Sequence, residues 1–560
     1  MKPATVKVER PPATQLRNLA VGGSRIKFPR LIWPLLLLAA RTALSQGEVL
    51  CNGIRLTSPW PPTDYVLTLE PPAPPYLASP PEVIPIDVGR QLFVDDFLIE
   101  HTTLQRTFHP AEYHAANPVL KPDKPWEQER YPTAMVFSDG VWYDPADRLF
   151  KMWYMGGYCA SMCYAMSRDG IHWEKPSLDV KLGSNVVFGR RRDSTTVWLD
   201  LVEKNPERRY KLFRYDNMNG DPFQSLYFSP DGIHWKEAAG PRRVRGDRSS
   251  VFYNPFRKIW VYSIRDTAAF GGLKHTIRSR RYWECADPLA GADWTEAKAP
   301  LWISADKLDP RHPEMNIQPE LYNLDCVAYE SLILGLFDIW VGQPTNRPKP
   351  NYLTVGFTRD GFHWDRPTHK AFLPVSEHMG DWNHGNVLSA GGCCLLVGDQ
   401  LYFYVSGRAG VDGSGASGVC ATGLATLRRD GFASMDAGNT AGTLTTRLVI
   451  FRGKHLFVNA DADAGEVRVE VLDKGGQVIV PFGHGNCLPV RSDQTRCAVR
   501  WKKTADLSSL AGKPVRFRFH LKNARLYSFW VSPAQSGASH GYVAAGGPGY
   551  SGPTDTTGGR

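Results

Sequence analysis

The chain has 560 residues, 42% hydrophobic, 22% charged and 11% aromatic, which excludes a disordered polymer and calls for more than one domain. Its formal charge of +10 does not mark a nucleic-acid binder. Residues 1–45 hold eight Lys or Arg against the single acid Glu9, so seven of the ten charges belong to the leader.

That leader reads as a signal peptide. Its basic stretch ends at Arg30, LIWPLLLLAA follows, and Ala43-Leu44-Ser45 offers small residues for cleavage. The apolar run is too short to span a bilayer. The expectation is an exported protein, secreted or periplasmic, with no transmembrane span in the mature chain. Ten cysteines fit such a compartment. Cys487 and Cys497 flank a polar stretch and suggest a hairpin disulfide, while Cys159, Cys163, Cys393 and Cys394 read as buried thiols.

Residues 46–88 are proline-rich (SPWPPTDYVLTLEPPAPPYLASPPEVIP from Ser58) and read as a linker or surface arm rather than core. From 89 to 438 the pattern is β throughout: short aromatic and β-branched runs such as FKMWYMGG, YKLFRYD, KIWVYSIRD, LILGLFDIW and LYFYVSG, each after a turn. A second signal is superimposed. SRDGIHWEKP begins at Ser167, SPDGIHWKEA at Ser229 and TRDGFHWDRP at Thr358. The Asp-Gly pair is a turn, the Ser or Thr two residues ahead can bond its backbone, and the Trp returns to the core. Degenerate copies bring the Asp positions to 169, 231, 287, 360 and 430, separated by 62, 56, 73 and 70 residues. Five units of about four strands predict an all-β fold, a five-bladed β-propeller, with a strand near Phe93 available to close the ring. His172, His234 and His363 recur at one scaffold position and read as structural. Residues 439–536 alternate cleanly and predict a small β-sandwich. There Asp461, Asp463 and Glu466 could hold Ca²⁺, but their spacing fits no standard loop and a solvated turn is preferred. No cofactor or metal is expected. Residues 537–560, rich in Gly, Ser and Thr, read as a disordered tail.

The innermost strand of each propeller blade starts at one common mouth. Upstream of those strands lie Glu127, Glu129 and Arg130; Asp193; Asp247 and Arg248; Glu320 and Asp325; and Asp381, His384 and Asn386. Packed acids repel and need partners or solvent, so a recurring acid at strand heads has no folding rationale. It matches glycosidic cleavage, which needs one group to protonate the leaving oxygen and another as base or nucleophile, about 5–5.5 Å apart for retention and 6.5–9.5 Å for inversion. Asp193, Asp247 and Glu320 are the leading carboxylates. Tyr322, Asp381 and His384 could contact sugar, and Trp126 and Trp382 could stack on it. Arg130, Arg192, Arg245 and Arg248 stand beside the acids. Facing inward they would favour a uronic or sulfated sugar; paired with the acids they would leave a neutral one.

This pattern resembles the secreted glycosidases of the invertase, levansucrase, arabinanase and β-xylosidase superfamily. The blocks GDRSSVFYNPFRKIWVYSIRD and PELYNLDCVAYESLILGLF look more closely like bacterial secreted glycosyl-hydrolase-like proteins. The resemblance covers residues 89 to about 530. It implies acids from the first blades: Glu127 or Glu129, Asp193 and Asp247. It also draws in Arg265-Asp266 and Glu284-Cys285, counterparts of an Arg-Asp and a Glu-Cys pair, although a WMNDPNG-like opening is absent. The function expected is a glycoside hydrolase on a poly- or oligosaccharide. The alternatives are a non-catalytic carbohydrate-binding propeller, or a polysaccharide lyase working through His384 and a Tyr.

Overall fold

The computed structural model describes residues 47–558 apart from positions 190, 219, 220, 244, 245, 294, 296 and 297. The signal peptide and Arg245 therefore lie outside the described residues. The chain is all-β, with only short helical turns.

Five successive antiparallel sheets run from residue 134 to 428. Their first strands are Ala134–Asp144, Thr195–Leu199, Ser250–Asn254, Glu320–Glu330 and Val387–Ser389. Each of these lies beside the next, and Val387–Ser389 returns to Ala134–Asp144, so the cycle of inner strands closes. Second strands such as Leu149–Gly156 and Leu332–Trp340 are buried along nearly their whole length, because each sheet is covered on both faces by its neighbours. This is why the sequence writes them as continuous aromatic and aliphatic runs rather than alternating ones.

The repeated ten-residue motif is a self-contained turn. In its first copy Ser167 Oγ accepts the Gly170 amide at 2.9 Å, and Asp169 Oδ1 accepts the amides of Ile171 and His172 at 2.8 and 2.9 Å. Asp169 Oδ2 lies 2.7 Å from His172 Nδ1. The copies at Asp231 and Asp360 repeat these bonds within about a tenth of an ångström. His172 is 86% exposed and serves only its own turn. The turns also lock neighbouring sheets: Trp153 Nε1 donates to Gly232 O at 2.7 Å, Trp302 Nε1 to Phe362 O at 2.7 Å, and the Tyr404 hydroxyl to Gly170 O at 2.5 Å.

The fifth sheet is closed by Glu112–Tyr113, with Tyr113 opposite Ala425. The expected closing strand near Phe93 goes elsewhere: Gln91–Leu92 pairs with Ala524–Ser532. That strand belongs to a sheet with Ala433–Ala437, His455–Asp461, Asp493–Ala498 and Gln105–Phe108. A second sheet joins Ile99–Thr102, Gly442–Thr446, Glu466–Leu472 and Arg516–Lys522. Phe93, Val458, Val469, Phe517, Phe519 and Phe529 share one core between them. Alternation in Phe517, Phe519 and Leu521 against Arg516, Arg518 and Lys522 sets which face turns inward.

Three expectations are corrected here. The proline-rich segment contributes core: Leu50, Ile54, Leu56, Tyr76, Ile84 and Ile86 are buried, and Ile84–Pro85 pairs in parallel with Val449–Ile450. Prolines set its extended path, and the apolar residues between them supply its anchors. The C-terminal segment is ordered. Tyr542–Val543 pairs with the inner strand Glu320–Glu330; Ala545 bonds the backbones of Tyr143 and Cys394, and Leu396 N donates to Gly546 O. A Cβ on Gly547 would stand 1.8 Å from Leu396 O, so close backbone approach, not disorder, accounts for its small residues. Cys487 and Cys497 form no disulfide, and all ten cysteines are free; Cys487 Sγ instead accepts the Val469 amide at 3.2 Å.

Candidate active site

The heads of the inner strands meet at one end of the ring, and groups from all five sheets act on one another there. Asp193 precedes Thr195–Leu199. Its neighbour Arg192 turns down the axis to bind Asp139 at 2.5 and 2.6 Å. No donor among the described residues is recorded on the Asp193 carboxylate, and its pKa is raised, first by burial and then by the charge of Asp247. Asp247, three residues before the strand Ser250–Asn254 begins, is 36% exposed and pairs with Arg265 Nη1 at 2.8 Å. The two leading acids are thus electrostatic neighbours in different environments.

Glu320, the third leading acid, accepts from Arg278 Nη1 at 2.7 Å and from the Arg278 amide at 3.2 Å. Tyr322 is buried in the same corner. Its hydroxyl accepts from Lys349 Nζ at 2.6 Å, and its pKa is raised by burial and by Asp247. Arg278 and Arg248 stand 5.4 and 5.5 Å from its ring centre. Burial, with Arg408 and Arg278 nearby, pulls Lys349 down to about 7. An ammonium among guanidinium groups in a partly dry site releases its proton more easily than one in water.

Arg248 lies at the floor, 1% exposed, 3.8 Å above the Phe137 ring and 3.6 Å from Asp338 Oδ2. Among the described residues none of its three guanidinium nitrogens has a hydrogen-bond partner. Beneath it Asp325 accepts from Ser389 Oγ at 2.6 Å and Asn323 Nδ2 at 2.9 Å. Burial raises both Asp325 and Asp338, and pushes Asp139 up to about 6 despite Arg192.

Other candidates lie apart or are occupied. Glu127 is fully buried in a short turn, bonded by Lys175 Nζ at 2.8 Å, Tyr154 OH at 2.6 Å and two backbone amides; both carboxylate oxygens are engaged inside the scaffold. Glu284 sits at the opposite end of its sheet. The third strand descends from Ile277 at the mouth to Cys285, and Glu284 pairs there with Arg257 and with Tyr282 OH at 2.5 Å, which places it away from Asp193 and Asp247, against its expected place among the candidate acids. Asp266 is buried against Arg281 at 2.5 Å. Trp126 donates to Asn185 at 2.9 Å. Trp382 packs over Gly407 and Gly423 and edge-on to Tyr113 at 5.5 Å. His384 is buried, with Nδ1 3.2 Å from Ser376 O; burial lowers its pKa. Asp381 is exposed and bonds Ser376 Oγ at 2.5 Å, while Arg130 and Glu129 are exposed on the loop before the first inner strand. In the second pair of sheets Glu466 is taken by Arg468 and Arg491, and Asp463 by the Asp493 amide.

Lys349, Arg278 and Arg408 were not among the sequence candidates. Arg408 ends a second strand, Arg278 opens a third, and Lys349 lies in the loop two residues ahead of the third strand Asn351–Thr358. The cue available was a strand-terminal cation at the mouth end, as in LYFYVSGR.

No family model matches the sequence, and no curated protein matches it. Among solved structures, the chain is similar to a thermostable family-43 glycoside hydrolase at 11% identity, over 54% of this chain and 92% of that one, TM-score 0.40. A fructofuranosidase from Schwanniomyces occidentalis aligns at 10% identity over 75% and 96%, TM-score 0.34. A β-1,2-mannobiose phosphorylase from Listeria innocua aligns at 10% identity over 57% and 96%, TM-score 0.39.

Proposed function

We propose that the chain is a glycoside hydrolase acting on a poly- or oligosaccharide. In this reading the five-sheet ring is a five-bladed catalytic propeller, the two-sheet unit beside it an accessory β-sandwich, and the leader directs export. Among the described residues no helix is long and apolar enough to cross a membrane.

One observation carries the proposal: the asymmetric pair of Asp193 and Asp247. Among the described residues nothing bonds the Asp193 carboxylate, and its pKa is raised; Asp247 is ion-paired to Arg265 at 2.8 Å. Two carboxyls whose surroundings treat them differently are what acid and base roles require. Asp193 donates the proton to the leaving oxygen. Asp247 attacks the anomeric carbon or activates water. The oxocarbenium-like charge of the transition state lies between them, with Tyr322 and Lys349 beside them. The mechanism needs no metal or cofactor.

The test is a panel of plant, algal and fungal oligosaccharides assayed for new reducing ends and for the ultraviolet absorbance of unsaturated sugars. Reducing ends without that absorbance support hydrolysis. Both signals together would make the protein a lyase, and neither signal with retained binding would make it a lectin.

A further inference from the structure

The corner of the candidate site around Tyr322 is rich in donors and short of acceptors. Arg408 is 4% exposed; its Nη1 bonds only the neutral Ser417 hydroxyl at 3.1 Å, and its Nε has no partner. Its guanidinium lies 5.7 Å from the Tyr158 ring. Lys349 has no carboxylate within ion-pair distance among the described residues; its recorded bond is to the neutral Tyr322 hydroxyl at 2.6 Å. Arg278 has Glu320 on one nitrogen and leaves Nε unpartnered. Trp340 lies 4.6 Å from Arg278, and its Nε1 is also unpartnered. Three cations therefore border one tyrosine; among the described residues Glu320 is the one carboxylate bonded to any of them, with Asp247 and Asp193 acting on the corner from further off. Buried donors are normally satisfied, and cations in excess of the carboxylates bonded to them are costly unless something anionic completes the cluster.

We propose that this corner, formed by Arg408, Lys349 and Arg278 beside Tyr322, binds an oxyanion carried by the sugar, so that the substrate is an acidic glycan bearing carboxylate or sulfate groups. The inference rests on the glycosidase reading and names its substrate class. Planar guanidinium forks match the spacing of carboxylate and sulfate oxygens, and the lysine supplies a point charge between them. Asp193 and Asp247 stand at the same mouth, so a ring whose acidic group is held here presents its glycosidic bond to them.

Binding is measured by calorimetry at low salt on the full exported chain, with digalacturonate, its carboxyl-reduced neutral counterpart, a 6-sulfated galactose disaccharide, and inorganic phosphate and sulfate as probes. At least one acidic sugar binds tenfold or more tighter than the neutral one, and which acidic sugar wins identifies the group. Arg408→Gln and, at the less buried rim, Arg278→Gln each reduce that preference at least tenfold while leaving the neutral sugar's affinity within twofold. Equal binding of acidic and neutral sugars, no binding of either acid, or a preference untouched by both substitutions overturns the inference. Inorganic phosphate or sulfate binding as tightly as the best acidic sugar overturns it too, in favour of a free-anion site. The two readings fail separately. Efficient cleavage of neutral glycans without preference sinks only the acidic-substrate inference. Selective binding of an acidic sugar with no glycan cleaved sinks only the hydrolase.

Discussion

Replacing Lys349 with Met should make the protein more stable, and more so in acid than in base. The lysine's pKa falls from 10.5 to about 7, chiefly through burial and then through Arg408 and Arg278. At about 1.4 kcal/mol per unit, that gap corresponds to about 5 kcal/mol borne by the folded state when the lysine is protonated. Water at the mouth screens the site and makes this a ceiling, and losing the bond to Tyr322 at 2.6 Å gives back about 1 kcal/mol. Because the folded value lies below the unfolded one, the unfolded chain binds the extra proton between about pH 7 and 10.5. Wild-type stability therefore rises across that window, and the cost is full below it. The gain from Lys349→Met is then at most about 4 kcal/mol near pH 6 and shrinks by roughly 3 kcal/mol near pH 9. Over a chain of this length unfolding as one unit, 1 kcal/mol moves Tm by about 1 °C. Differential scanning calorimetry at the two pH values reads both. A variant no more stable than wild type at pH 6, or one whose advantage grows with pH, would refute the electrostatic description of the pocket.

Glu127→Gln should cost about 3 kcal/mol, because Lys175 loses its buried partner at 2.8 Å; denaturant unfolding measures it, and the rate per folded molecule should be unchanged. Gly232→Ala places a Cβ 2.4 Å from Trp153 at a φ of +80°, and thermal unfolding should report a loss of about 2–4 kcal/mol. Truncation after residue 536 removes Asp555 from Arg429 and Ser539 from Glu330. It should lower stability by about 3 kcal/mol or more and increase binding of a hydrophobic dye at the base of the ring, where Trp142 and Trp198 line a cavity of about 620 Å³.

What was legible in the sequence was local. The hydrogen bonds that shape the repeated turn fall within six residues, so Ser167, Asp169 and His172 declare the turn by themselves, and three copies declare the repeat. The nearness of Asp193 to Asp247 was legible because each stands just ahead of an inner strand. Glu127 has the same sequence position, yet its short turn points the carboxyl at Lys175, 48 residues away, and no local pattern encodes that rotation. Glu284 misled because its height along the sheet depends on the direction of a third strand. Lys349 and Arg408 enter the site from a loop and a strand end that only the closed ring brings to the mouth. In the tail, glycine needed for close packing has the same composition as glycine in a flexible chain.

The assignment of Asp193 as acid and Asp247 as its partner is tested most directly by leaving-group dependence. Asp193→Ala and Asp247→Ala are compared with wild type on the oligosaccharide the panel identifies, and on an aryl glycoside of the same sugar whose leaving group needs no proton. Asp193→Ala should lose about 10³-fold on the oligosaccharide and remain within about tenfold on the aryl glycoside, whereas Asp247→Ala should lose both. Wild-type rates in either variant, or equal losses by Asp193→Ala on the two substrates, would contradict it.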